Sequence, residues 1–113
     1  MTSGLKTVIF PVTDLAAATR VYAALLGTDP VMAEPYYVQF SAGGQEIGLD
    51  PNGHASGMTG PTAYWHVEDL DVALKELLAA GATEHRPVTS VGGTRRIASV
   101  TDPDGNVLGI LQP

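Results

Sequence analysis

The side chains able to do chemistry in this chain are few and scattered. It holds His54, His66 and His85, twelve acidic residues, six Lys or Arg, and no cysteine. Without cysteine there are no disulfides, thiolate metal sites or cysteine nucleophiles, which fits the cytoplasmic location expected here. His54 falls in a Gly- and Pro-rich stretch and His85 near the start of a strand-like run. Neither has a second donor at helical or strand spacing, so they do not suggest a metal site. Asp102-Pro103-Asp104-Gly105 lacks the further acidic positions of a calcium loop and reads as a turn before a strand. The spacing offers no Ser-His-Asp arrangement, phosphate-cradling glycine loop or paired acid–base carboxylates. Arg95 and Arg96 form the one local basic pair. As consecutive strand residues they point to opposite faces, so one is available to meet an anionic ligand group.

Bulk properties narrow the partners. The formal charge of −6 and pI near 4.7 repel nucleic-acid phosphates and anionic lipid heads and favour a cationic small ligand. Neither nucleic acid nor membrane is expected as a partner. A length of 113 residues with 44% hydrophobic content predicts a single domain over 1–113 with one real core. The apolar runs are too short to span a bilayer, and Met1-Thr2-Ser3-Gly4-Leu5-Lys6 does not read as a secretory signal.

Any candidate site must be positioned by elements that come in two similar sets. Val12-Thr13-Asp14-Leu15 opens an Ala- and Leu-rich stretch ending at Gly27; Val67-Glu68-Asp69-Leu70 opens another ending at Gly81. Half a chain separates the tetrads, the mark of a two-fold duplication rather than a solenoid. Leu15, Ala18, Tyr22, Leu25 and Leu26 recur at steps of three and four, as do Leu70, Ala73, Leu74, Leu77 and Leu78, so each stretch is predicted as a helix with one apolar stripe. Asp14 and Asp69 suit the N-cap and the two glycines suit the C′ position. A β-type run precedes each helix, Thr7–Val12 and Thr62–Val67. Three extended pieces follow each: about 30–33, 36–40 and 45–50, then about 84–88, 94–100 and 106–111. Gly43-Gly44, Gly92-Gly93 and Asp102–Gly105 make turns. Residues 51–61 read as a linker. The order is βαβββ–βαβββ, an α+β chain whose modules cover about 5–50 and 60–112.

That order, with Asp102-Pro103-Asp104-Gly105-Asn106 before the last strand and Val12-Thr13-Asp14-Leu15…Val21-Tyr22…Leu26-Gly27 at the start, resembles the vicinal oxygen chelate superfamily. This group includes glyoxalase I, extradiol dioxygenases and the fosfomycin and bleomycin resistance proteins, and the resemblance covers nearly the whole chain. It implies that each module curls its strands into half a barrel with the helix outside, the halves enclosing a cleft. It also implies a homodimer. Metal-dependent members place His, Glu or Gln ligands on the first and fourth strand of each module, holding a divalent ion at roughly 2.0–2.6 Å.

Carried onto this sequence, the first-strand positions lie seven residues before Asp14 and Asp69 and are Thr7 and Thr62. The fourth-strand position after Asp102–Asn106 is Gly109, and its counterpart is near Gly48. Glycine donates nothing, and a neutral hydroxyl without imidazole or carboxylate company is a poor ligand. The resemblance therefore implies no metal and no cofactor.

Strand alternation then gives the lining of the cleft. Thr7 and Ile9 should face in, with Pro11; so should Thr62, Tyr64 and His66, and Gly109 and Leu111, with Val107. Glu46 shares the parity of Gly48, which makes it a candidate cleft carboxylate, although its hairpin position is equally compatible with a solvated charge. Tyr36 and Tyr37 point to opposite faces, so at most one touches a ligand; Tyr37 is the candidate. Of the arginines, Arg95 is the candidate. Gly48 and Gly109 are expected to leave room where a metal and its carboxylates would otherwise sit. Trp65 reads as core.

The expected function is metal-independent binding of a small organic ligand, as bleomycin resistance proteins do, sequestering an antibiotic or another organic molecule. The alternative is a lyase, isomerase or dioxygenase, either metal-dependent with displaced ligands or metal-free with His66 or Glu46 as base. The sequence names neither the ligand nor the physiological role.

Overall fold

The computed structural model describes residues 2–113. Along the chain run β1 (Thr2–Pro11), α1 (Leu15–Leu26), β2 (Met32–Glu34), β3 (Tyr37–Ala42), β4 (Gln45–Asp50), β5 (Thr62–Val67), α2 (Leu70–Ala79), β6 (Thr83–Ser90), β7 (Arg96–Thr101) and β8 (Val107–Gln112). This is the βαβββ–βαβββ order expected from the sequence. Both helices start as predicted: Asp14 Oδ1 accepts from the Ala17 amide at 3.0 Å and Asp69 Oδ1 from the Val72 amide at 3.1 Å. Each carboxylate satisfies an amide that has no carbonyl partner one turn back. At the other end of α1, Gly27 adopts φ 68°, the left-handed geometry that lets its amide close on the Ala23 carbonyl.

The N-terminal unit comprises Thr7–Thr62. Its strands lie in the order β2-β3-β4-β1, with β1 and β4 parallel and the other pairs antiparallel. Helix α1 packs on β3 and β4. Val38, Phe40 and Leu49 form the buried centre, surrounded by Phe10, Val12, Leu15, Ala18, Tyr22, Ala23, Leu26 and Ile47. Phe40 and Leu49 are fully buried, each contributing about 1.5–3 kcal/mol by leaving water. The Phe10 and Tyr22 rings meet tilted, with centroids 5.1 Å apart, clamping helix to strand.

The C-terminal unit comprises Ala63–Pro113 together with the first residues of β1, up to Lys6. Its strand order is β1-β5-β8-β7-β6, with β5 and β8 parallel and β6-β7-β8 antiparallel. The Thr2 hydroxyl donates to the His66 carbonyl at 2.8 Å. Strand β1 is thus divided: its first half completes one unit and its second half the other. Val67, Leu70, Ala98 and Ile110 form the core under α2, with Ala73, Leu74 and Leu77 packed on it. Gln112 Oε1 accepts from the Leu70 amide at 2.8 Å, a second support for the start of α2.

Four expectations need correction. Leu25 and Leu78 are 75% and 39% exposed, so neither belongs to its stripe. At 100° per residue each sits on a flank of the stripe, and α1 rolls to bury the opposite flank, at Ala23. Strand β1 begins at Thr2 rather than Thr7, because its first residues find a partner in β5. Trp65 is 38% exposed rather than core, because α2 sits over β7 and β8 and leaves the β5 side open. Strand β6 is longer than expected and shifts register on either side of Arg86, next to Pro87, which has no amide to give the ladder.

Candidate functional site

The face of each unit that turns away from its helix carries the residues singled out by parity. In the N-terminal unit Phe10 and Val12 pack under α1, which turns Thr7 and Ile9 to the other side. Thr7 is 1% exposed, and its hydroxyl donates to Glu46 Oε1 at 2.7 Å. The two are register partners on β1 and β4, and Ile9 pairs with Gly48. Tyr37 reaches over Gly48: a Cβ built there would collide with the end of the phenol ring and its hydroxyl. Tyr36, with 61% exposure, projects elsewhere, so Tyr37 is the tyrosine of this face.

In the C-terminal unit Tyr64 pairs with Gly109 and His66 with Leu111. Thr62, Tyr64, His66 and Leu111 are all buried. A Cβ at Gly109 would meet the Tyr64 ring and the Ala63 carbonyl, so the ring lies across the glycine. The side-chain fork of Arg96 contacts Asp71 Oδ2 at 3.1 Å and Gln112 Oε1 at 3.1 Å, on the α2 side. Arg95, half-buried, lies in the turn just before β7, where its amide donates to the Gly92 carbonyl at 3.0 Å.

Register also settles the alignment of the modules. Ile9, two residues past Thr7, pairs with Gly48; Tyr64, two past Thr62, pairs with Gly109. Gly48 is therefore the structural counterpart of Gly109. The expectation that these glycines leave open room is overturned. A tyrosine ring fills each space, Tyr37 from the adjacent β3 and Tyr64 from the adjacent β5. A glycine in a strand lets a neighbouring group approach the backbone closely, and at these two positions a tyrosine side chain does so.

Three side chains of the same face of the C-terminal unit escaped the sequence reading. Ile97 and Ser99 pair with Leu111 and Gly109, and both are buried. His85 Nδ1 lies 2.9 Å from Ser99 Oγ. Alternation along β7 would have found the first two once Arg96 was known to face α2; His85 sits at the register shift of β6, where counting by twos fails.

The donor set does not fit the divalent ion that the resemblance associates with this fold. At the first-strand positions stand two threonines, one already donating to Glu46. At the fourth-strand positions stand two glycines under aromatic rings. Among the described residues, no three His, Asp or Glu side chains converge as ligands. The Asp102 turn holds no site either: its carboxylate is occupied by the Asn106 side-chain amide at 2.9 Å and by the backbone amides of Asn106 and Asp104 at 2.9 and 3.0 Å. These donors, led by the Asn106 side chain, hold the carboxyl below its usual pKa of 3.8. Among the described residues no helix is long and apolar enough to cross a membrane.

Comparison with known proteins agrees with this architecture. The family model for the Glyoxalase/Bleomycin resistance protein/Dioxygenase superfamily matches residues 4–110. No curated protein sequence matches the chain. Among solved structures, NAD-dependent benzaldehyde dehydrogenase from Legionella pneumophila is similar at TM-score 0.77 and 22% identity, over 94% of this chain and 96% of that one. Methylmalonyl-CoA epimerase from Mycobacterium tuberculosis is similar at TM-score 0.74 and 20% identity, over 99% and 89%. A superfamily member from Vibrio splendidus 12B01 is similar at TM-score 0.71 and 16% identity, over 94% and 95%. At these identities the likeness shows the fold alone.

Proposed function

Because this chain belongs to the glyoxalase/bleomycin resistance protein/dioxygenase superfamily, we propose that it binds a small organic molecule on its helix-distal sheet faces, without a metal ion. The observation that carries this reading is the contact of the Tyr37 ring with Gly48 and of the Tyr64 ring with Gly109. In both units an aromatic ring stands where a carboxylate ligand would begin.

The candidate contacts are Thr7, Ile9, Tyr37, Glu46 and Gly48 on the face of the N-terminal unit and, taken by itself, Thr62, Tyr64, His66, Arg95, Gly109 and Leu111 on that of the C-terminal unit. Aliphatic and aromatic surface with a few hydroxyl, imidazole and charged groups suits an amphipathic organic molecule, held by apolar contact and oriented by polar ones. Sequestration of an antibiotic or another harmful organic compound is the role such binding serves. A homodimer in the cytoplasm is part of the same proposal.

Elemental analysis of protein purified without added metal should find no stoichiometric Ni, Zn, Mn or Fe. A thermal-shift screen of aromatic and amphipathic compounds should find binders whose stabilisation grows with concentration, reaching about 2.7 kcal/mol at a hundredfold excess over Kd. Mass spectrometry after long incubation should return the bound compound unchanged. A tightly held stoichiometric metal, or conversion of the compound, would defeat the proposal and restore catalysis.

A further inference from the structure

An apolar hollow of the C-terminal unit lies on the other side of its sheet, beside α2. Since α2 sits over β7 and β8, the helix side of β5 is left uncovered, and a cavity of about 570 Å³ opens there. Its walls include Trp65, Val67, Val72, Leu77, Leu108 and Ile110. Val72 is 51% exposed and Trp65 38%, unusual for large apolar side chains on elements whose neighbours are buried. The volume falls within the range of small-molecule sites, roughly 300–1,000 Å³.

Among the described residues the charge around this hollow is of one sign. Glu68, Asp69 and Glu76 border it, and no Lys, Arg or His does. One Asp69 oxygen is engaged as the helix cap, whereas the side-chain carboxylates of Glu68 and Glu76 have no hydrogen bond or ion pair among the described residues. Two carboxylates at the edge of an apolar pocket attract a positive charge while the walls desolvate whatever is attached to it. The face of an exposed indole adds a second attraction, specific to cations.

We infer that this hollow is a binding site for an organic cation with an apolar body, such as an aryl-substituted ammonium or phosphonium ion. The body lies against Trp65, Val72 and Leu108, and the charge sits toward Glu68 and Glu76. This site is separate from the helix-distal residues of the proposed function and stands or falls without them.

Trp65 is the single tryptophan of the chain, so its fluorescence reports the hollow directly. Tetraphenylphosphonium and tetraphenylborate have the same shape and opposite charge. Titrating each should give a saturable change in Trp65 emission with the cation and binding at least roughly tenfold weaker with the anion. The double variant Glu68→Gln/Glu76→Gln should erase most of that preference, and Val72→Arg should abolish cation binding, with circular dichroism confirming the fold of both. Equal binding of the two ions, or cation binding untouched by both variants, overturns the inference. So does a Trp65 signal that follows protein concentration and ignores both ions, since that outcome assigns the hollow to a second copy of the chain.

Discussion

The ring of Tyr64 lies across Gly109, its register partner on the neighbouring strand, and takes up the volume a side chain would need there. A similar contact recurs between Tyr37 and Gly48, although the register partner of Gly48 on β3 is Gln39. At Gly109 a methyl group would strike the inner edge of the ring and the Ala63 backbone; at Gly48 it would strike only the far end of the Tyr37 side chain. The first obstacle is fixed, and the second can swing away.

Gly109→Ala is therefore expected to destabilise the protein by about 1–3 kcal/mol, the range for forcing extra volume into packed structure. Gly48→Ala should cost less than about 1 kcal/mol, while displacing the Tyr37 ring. Urea unfolding of the two variants checks the order, and equal costs would contradict the geometry.

The burial of the helices separates residues of one type. Leu70 is fully buried, whereas Leu25 is 75% exposed and Leu78 is 39% exposed. Leu70→Ala should lose about 2–5 kcal/mol. Leu25→Ala should change stability by no more than about 0.5 kcal/mol, with Leu78→Ala in between, all read from the midpoint at constant m-value.

Around Arg96, two interactions of different worth are expected. The ion pair with Asp71 is solvent-accessible, with Asp71 66% exposed, and Asp71→Ala should cost about 0.5 kcal/mol or less. Gln112 instead satisfies the Leu70 amide at 2.8 Å. Gln112→Ala should cost about 1 kcal/mol, and 0.5 M salt should weaken the first interaction without touching the second.

Asp102 gives a pH dependence of known sign. Hydrogen bonding from Asn106, then from the nearby amides, lowers its folded pKa below 3.8. A carboxyl depressed on folding contributes stability above its unfolded pKa, and this is lost as pH falls through the folded value. The stability difference between the native chain and Asp102→Asn should hold steady from pH 7 to about 5 and shrink below 3.8. A difference that grows in acid would reverse the assignment.

Much of this was legible in the sequence, for physical reasons that stop at identifiable residues. Caps and periodicity found both helices, because Asp14 and Asp69 act locally on amides within one turn. Alternation sorted Thr7 from Phe10 and Tyr64 from Trp65, because the strand period is two. Both methods describe a single element, and neither sees what lies beside it. Leu25 and Leu78 were misplaced because the roll of a helix depends on the sheet it meets. The space at Gly48 was misjudged because its occupant, Tyr37, comes from another strand. Trp65 has the pattern of a core residue, and nothing local reveals that α2 sits over β7 and β8 and leaves it exposed.

Strand β1 serves two masters: Thr7–Pro11 pairs within the N-terminal unit, and the residues before Thr7 complete the C-terminal one. A single protease cut within residues 51–61 would therefore sever the polypeptide without producing two independent halves. The piece beginning after the cut lacks the edge strand it needs, and that strand stays on the other fragment. The nicked protein should migrate as one species until denatured, and the downstream fragment made by itself should need the N-terminal peptide added back before it folds.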